Sequence, residues 1–347
     1  MLVTNYFTDI KDKKMNLTEL LEEVQLTKKK DVKLYFVTRA SKVNVSKRTP
    51  AKDKYLFNVF QMDCNDEVRS YLYETTTKQI SKILQKNYDI VDYDILTDET
   101  EHLFTYSIQN KVFSFNDVVT NKLLKSSPKI TSLTALSETE EMWAYCVEFM
   151  NIENGKRIFT FRKILPSKIG VDEKSKNFIR AVFNTQSQQL ALLKEETVNL
   201  DEQIDCIYHL ETFYVIKKTN FEQIVGLQEE FKEKAFEVAD NMINSGHFIG
   251  GEKLKELIDK KPSIHKKLIK VEKLGGYKNI SPKMLSSMKK VCKKYGETLP
   301  IQNDKLSIES EQNIDTILKA LGDYYKIGEI SGKPYGTFAG KELKTVN

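Results

Sequence analysis

The chain has 347 residues, 40% of them hydrophobic, with 30% charged and a formal net charge of +5. That is enough for two domains of roughly 100–200 residues. Mixed charge with 18 Phe and 16 Tyr excludes a disordered chain, and the absence of any run near ~18 apolar residues excludes a membrane span.

The opening MLVTNYFTDIKDKKMN has no apolar stretch of signal-peptide length. Cys64, Cys146, Cys206 and Cys292 stand alone, without a C-x-x-C pair or a neighbouring His cluster. Reduced thiols in the cytoplasm are expected, not disulfides or structural zinc.

In chain order, residues 16–30 read as a helix, with Leu17, Leu20, Leu21 and Val24 at helical spacing. Val32–Thr38 and Tyr55–Phe60 are β-branched and aromatic, hence strands, with a basic loop between them. Residues 66–86 repeat apolar positions as a helix. Tyr88–Thr97 alternates, Tyr106–Phe115 suggests a strand pair, and Asn116 opens a short helix. KSSPKITS, residues 125–132, has the composition of a linker.

Trp143–Met150 and Arg157–Ile164 predict a hairpin around Asn154-Gly155, since that dipeptide accepts the positive φ of a tight turn. Ile204–Leu210 and Phe213–Lys217 predict another around Glu211-Thr212. Thr219 and Glu222 have capping-box spacing and open a predicted helix to about Asn244. Short helices follow at 253–259, 263–273 and 282–295, the last with Ser281 as N-cap, Pro282 at N1 and Gly296 beyond its end. A strand at 306–308, a helix at 311–325 and an extended tail complete the chain. The order predicts an α+β fold of two mixed α/β domains, 1–130 and 131–347. The second is expected to carry antiparallel hairpins on a long helix, followed by short basic helices.

No phosphate-binding glycine loop, dinucleotide fingerprint, zinc-protease motif or nucleophile elbow is present. Gly246–Gly251 follows a helix and reads as its end and a loop. Asp92, Asp94, Asp98, Glu99 and Glu101 form an acidic cluster; a Mg²⁺ site of a nuclease and a solvated strand edge are both open readings. Glu148, with Arg157 and Lys163 on the facing strand, lacks nuclease spacing. His102, His209, His247 and His265 are scattered. No catalytic residue, metal ligand or cofactor is assigned.

Charge carries the clearest signal. Residues 253–294 hold fourteen lysines, three acids and no arginine, a local balance of +11 that leaves −6 for the rest. Lys289, Lys290, Lys293 and Lys294 share one helical face, with Met284, Leu285, Met288 and Val291 as the apolar side. Lys266, Lys267, Lys270 and Lys273 repeat that spacing opposite Leu268, Ile269 and Val271; Lys278 and Lys283 lie between. These ten lysines are the candidate nucleic-acid-binding residues. Without arginine there is no bidentate guanine readout, so the expected ligand is a phosphate backbone irrespective of sequence. An acidic protein partner, an anionic membrane surface and plain solvation are the alternatives.

Three marks resemble the KwaB-like family of the Kiwa anti-phage defence system. Arg157–Lys163 is similar to that family's strand ending in Arg-Lys. Cys206–Leu210, Phe213–Ile216 and Asn220-Phe221-Glu222 resemble its strand pair entering a Phe-Glu helix. Leu321–Tyr325, Ser331–Tyr335 and Lys341 resemble its closing helix and tail. The resemblance spans about Met142 to Leu343. It implies a defence protein that binds phage DNA, works with a membrane-embedded Kiwa partner and forms a homodimer; no catalytic residue carries over. The expectation is a non-enzymatic DNA-binding effector, held at the inner face of the membrane by that partner if it works there. The alternative enzymatic expectation is a metal-dependent nuclease at Asp92 and Asp94. Seven engaged phosphates would give a log–log salt slope of about −6.

Overall fold

The computed structural model describes residues 17–42, 54–86, 88–97, 102–109, 115–125, 127–129, 133, 140–164, 169–170, 181–184, 188–192, 197–328 and 330–338. They form two compact units, 1–93 with 99–226, and 94–98 with 227–347.

In the first unit, helix α1 (residues 17–26) precedes strands β1 (Lys33–Ser41) and β2 (Tyr55–Met62) and helix α2 (Asp66–Gln85). Strands β3 (Asp89–Asp92) and β4 (His102–Ser107), a π-helical turn over Val118–Lys122, and the long pair β5 (Glu141–Met150) and β6 (Arg157–Lys163) follow. Next come β7 (Ile169–Gly170), β8 (Ala181–Asn184), β9 (Gln189–Leu192), β10 (Thr197–Val198), β11 (Cys206–His209) and β12 (Thr212–Val215). Helix α3 (Lys218–Ile224) ends the unit.

One eight-stranded sheet organises it, in the order β2-β1-β5-β6-β11-β12-β4-β3. Its ladders are antiparallel except β3 with β4. Strand β5 is buried from Met142 to Phe149, as a central strand covered on both faces must be. Leu17, Leu20 and Val24 of α1, with Leu72, Ile80 and Ile83 of α2, join Phe36, Tyr145, Val147 and Phe149 in one core. A second layer is aromatic: Phe57, Phe115, Phe161, Phe213 and Phe221 lie in a chain with ring centroids 5.2–6.0 Å apart. Each fully buried phenyl ring contributes about 1.5–3 kcal/mol.

The expected division at residue 130 is therefore displaced. Strand β1 pairs with β5 from Lys33↔Glu148 to Arg39↔Glu141, so the sheet spans the predicted boundary. The predicted linker also packs: the Gln61 amide donates to the Pro128 carbonyl at 2.9 Å, and Gln61 bridges Lys129 in parallel. The actual break lies at Gly226, whose φ of +83° ends α3. The predicted single helix from Thr219 is thus two. Thr219 is not the N-cap: the helix starts at Lys218, after Lys217, and the buried Glu222 carboxylate accepts from the Tyr93 hydroxyl at 2.8 Å. In the second hairpin the turn is Leu210-Glu211, both at positive φ, one residue earlier than expected.

Buried polar knots tie the sheet. The Asp205 carboxylate, fully buried, accepts from Arg162 Nη1 at 2.5 Å, the Lys163 amide at 2.7 Å and Asn220 Nδ2 at 2.8 Å. Arg162 also reaches Asp201 at 2.9 Å. Two of the resembling marks, Arg162-Lys163 and Asn220, therefore converge on one carboxylate. Beside it the Lys163 ammonium donates to the Trp143 carbonyl at 2.9 Å and lies 3.6 Å from that residue's ring centre; burial pulls its pKa down to about 8. Glu148 is equally buried and holds Tyr35 Oη at 2.7 Å and Arg157. It is an ion-paired core carboxylate.

The second unit begins with α4 (Leu227–Asn244), then β13 (Phe248–Ile249), α5 (Glu252–Lys260), α6 (Pro262–Leu274) and α7 (Pro282–Lys294). Strands β14 (Ile301–Gln302) and β15 (Lys305–Ser307), helix α8 (Glu311–Leu321), and strands β16 (Tyr325–Ile327) and β17 (Pro334–Gly336) follow. Its core gathers Val238 and Met242 of α4, Leu254 and Ile258 of α5, Leu268 and Val271 of α6, Met288 of α7 and Ile317 of α8 around Tyr277. Strands β16 and β17 pair as a hairpin where only an extended tail was expected.

Candidate nucleic-acid interface

Helix α7 is a self-contained local unit. The Ser281 hydroxyl accepts from the Met284 amide at 3.2 Å, and Pro282 occupies the first turn. Gly296, at φ +76°, takes the left-handed position beyond the C-terminus that a Cβ disfavours. Lys293 and Lys294 sit in the last turn, where the negative end of the helix dipole stabilises cations by about 0.3–1 kcal/mol each.

Its inner face is Met284, Met288 and Cys292, at intervals of one helical turn. Val291, expected on that face, is exposed; Cys292 takes its place. The outer face presents Lys283, Lys289, Lys290, Lys293 and Lys294, all exposed. Helix α7 contains no acidic residue. Among the described residues, no ion pair or hydrogen bond engages the ammonium groups of these five; that of Lys294 lies 5.8 Å from the Tyr295 ring centre. Ser286 and Ser287, exposed on the same helix, add two hydroxyl donors.

Helix α6 differs, and the expected lysine face is not found there. Lys267 is bound to Asp315 at 2.6 Å, and Lys270 is buried with its ammonium on the Phe338 carbonyl at 2.5 Å. Lys273 pairs with Asp94 at 2.9 Å and Lys278 with Glu272 at 2.9 Å, while Lys266 is half-buried beside the Phe231 ring. Burial would raise the Asp315 carboxyl, but Lys267 and Lys319 hold it below its ordinary range. Helix α6 packs against α4, α5 and α8, so its lysine strip meets neighbouring elements. On α5, Lys253 and Lys260 bind Glu256, and Lys255 binds Asp240. Of the ten candidate lysines, Lys267 and Lys270 are tied into the fold, Lys266 is half-buried, Lys273 and Lys278 are exposed but ion-paired, and five face outward on α7.

The described members of the acidic cluster, Asp92 and Asp94, are engaged in other contacts. Strand β3 stops at Asp92, so Asp94 is not on it. Asp92 accepts from the Thr105 hydroxyl at 3.2 Å, and Asp94 accepts from the Leu96 amide at 2.8 Å besides pairing with Lys273. Among the described residues no group of three His, Cys, Asp or Glu side chains is placed to hold a metal. Asp98, Glu99 and Glu101 lie outside the described residues.

A sequence model of the Kiwa protein KwaB-like family matches residues 139–331. The chain belongs to the KwaB-like family. Membership associates it with Kiwa anti-phage defence. The match covers both knotted strands of the sheet and all of α7. No curated protein and no solved structure matches the chain. Among the described residues no helix of this KwaB-like chain is long and apolar enough to cross a membrane.

Two core histidines contribute to its acid response. Burial pulls both His209 and His265 below their ordinary value of 6.5. The His265 ring meets the Ile258 carbonyl at 2.7 Å, and His209 Nε2 is buried with no hydrogen-bond partner. The unfolded chain then takes up these protons first. Their contribution to stability is complete well above pH 6.5 and is lost as pH drops through 6.5 toward the depressed native values. The thermal midpoint should decline from pH 7.5 to 5.5, and less steeply in a His265→Gln variant; a flat profile would contradict the assignment.

Proposed function

We propose that this KwaB-like protein binds DNA through the outer face of α7, with little regard to sequence, as a non-enzymatic effector of anti-phage defence. The observation that carries this is the set of five lysines, Lys283, Lys289, Lys290, Lys293 and Lys294, exposed on one helix and unpaired among the described residues. Clustered ammonium groups without acids repel one another, and a polyphosphate relieves that repulsion while releasing its condensed counterions. Lysines make point-charge contacts to phosphates, and the segment has no arginine to read guanine. The family resemblance supports phage DNA as the ligand, a membrane-embedded Kiwa partner at the inner face of the membrane, and a homodimer. Residues 1–130 are read as a partner-recognition region or as a family-variable one.

Titration of a random-sequence duplex with the full chain tests the reading. Five phosphate contacts predict a log–log salt slope of about −4.5, and so a loss of about 500-fold in affinity between 50 and 200 mM salt. No binding at 50 mM salt would refute the proposal. So would affinity independent of salt.

A further inference from the structure

Strand β2 ends one side of the eight-stranded sheet, and its outer edge is only partly satisfied. The Lys42 amide donates to the Lys54 carbonyl at 3.0 Å and continues the ladder with β1. Counting from Lys54 by twos, Leu56, Asn58 and Phe60 turn their backbone groups to β1, while Phe57, Val59 and Gln61 turn theirs outward. The two flanking members of the outward set are engaged. The Gln61 amide donates to the Pro128 carbonyl at 2.9 Å, and the Lys122 ammonium donates to the Phe57 carbonyl. Val59 lies between them, 4% exposed, and its outward amide and carbonyl have no partner among the described residues. A buried residue with an unfilled donor beside an unfilled acceptor offers what another extended backbone supplies.

Val59 lines a cavity of about 260 Å³, walled on its other side by Lys122, Lys125, Ser127 and Pro128. That wall is braced by its own bonds: the Lys125 amide donates to the Asn121 carbonyl at 3.1 Å, and the Ser127 hydroxyl donates to the Lys122 carbonyl at 3.3 Å. The free stretch of edge is short. Phe57 and Gln61 are about 13 Å apart at ~3.3 Å per residue, and the contacts of Lys122 and Pro128 close both ends of that stretch. A long strand running past the edge is blocked there, whereas the end of a chain fits. Charge selects which end. Lys122 and Lys125 line the cavity, and among the described residues no acidic side chain does. Lys125 is exposed, and no hydrogen bond or ion pair among the described residues engages its ammonium. Lys122 lies 3.6 Å from Asp117, which is outside the lining. These cations attract a terminal carboxylate and repel a terminal ammonium.

We infer that this cavity captures the C-terminal end of a partner polypeptide: its last residues pair with the Val59 amide and carbonyl, its terminal carboxylate meets Lys125 and Lys122, and an apolar final side chain lies against Phe60 and Pro128. The volume is just below the roughly 300–1,000 Å³ of sites for drug-sized ligands, which suits one or two residues. Backbone pairing fixes the orientation of the bound end, and charge-assisted hydrogen bonds to its carboxylate supply the selectivity. The inference concerns the first unit and does not rest on DNA binding by α7.

The test uses the full chain and dye-labelled hexapeptides, randomised except for a final Leu, made once as free carboxylates and once as amides. The carboxylate pool should bind about tenfold more tightly than the amide pool, the worth of one charge-assisted hydrogen bond. Lys125→Glu changes only an exposed side chain and should abolish that preference. Lys305→Glu makes the same charge change on the other unit and should keep it. The Val59 amide should exchange with deuterium more slowly once the carboxylate pool is bound, because it gains an acceptor. Equal binding of the amide pool overturns the inference, since it points to an internal strand or to no selection of chain ends. So does an unchanged preference in Lys125→Glu, an equal loss in Lys305→Glu, or a Val59 amide left unprotected at saturation. Failure of the carboxylate pool to bind at about 1 mM, the weak end of the affinity scale, overturns it as well.

Discussion

Replacing Lys289, Lys290, Lys293 and Lys294 together with glutamate is expected to lower duplex affinity by about 10³-fold at 0.1 M salt. Each phosphate contact contributes about 0.9 to the log–log slope, hence nearly one decade of affinity between 1 M and 0.1 M salt, and four are lost. The slope itself should fall from about −4.5 to about −1. These four side chains are exposed, and the buried face of α7 at Met284, Met288 and Cys292 is untouched, so the fold should survive. Far-UV circular dichroism checks that. An alanine version of the same four positions guards against the cost of placing acids at a helix C-terminus. Lys267→Ala is the contrasting control: it breaks the pair with Asp315 and should lower the thermal midpoint with little effect on DNA. Unchanged binding by the four-fold glutamate variant would remove α7 as the interface.

Asp205→Ala is expected to be the most destabilising single change in the sheet, by about 3–5 kcal/mol. Its carboxylate is fully buried and satisfies three donors at once: the Arg162 guanidinium, the Lys163 amide and the Asn220 side chain. Its removal strands donors in the interior, which costs more than the pair contributes when intact. Asp201 also binds Arg162 but is partly exposed, so Asp201→Ala should cost only about 1 kcal/mol. Urea denaturation of both variants measures the difference. Equal losses would mean that Arg162 is anchored from Asp201 and that Asp205 is incidental.

The reasons for the legible and illegible parts are local and distant forces, respectively. Ser281, Pro282 and Gly296 bounded α7 correctly because capping is satisfied within one turn of the chain. The β5–β6 hairpin was legible for the same reason, since Gly155 at φ +71° closes a short turn. The chain division near 130 was not, because the pairing of β1 with β5 joins strands about a hundred residues apart, and nothing in either strand names its partner. The capping box at Thr219 was a genuine local pattern, but the helix starts earlier, at Lys218, and Gly226 broke it. The exposed hairpin beside α7 left no periodic signature, since strands of three residues are too short to show one.

The sequence by itself determined the α+β class, the basic character of residues 253–294 and the family. Composition, periodicity and motif order are properties of the chain whatever its path. Only the tertiary structure decided which lysines remain available. Lys267, Lys270 and Lys273 also line one side of a helix, at intervals of three, yet Asp315, the Phe338 carbonyl and Asp94 reach them from distant parts of the chain. An ion pair needs proximity in space, and proximity is what folding supplies.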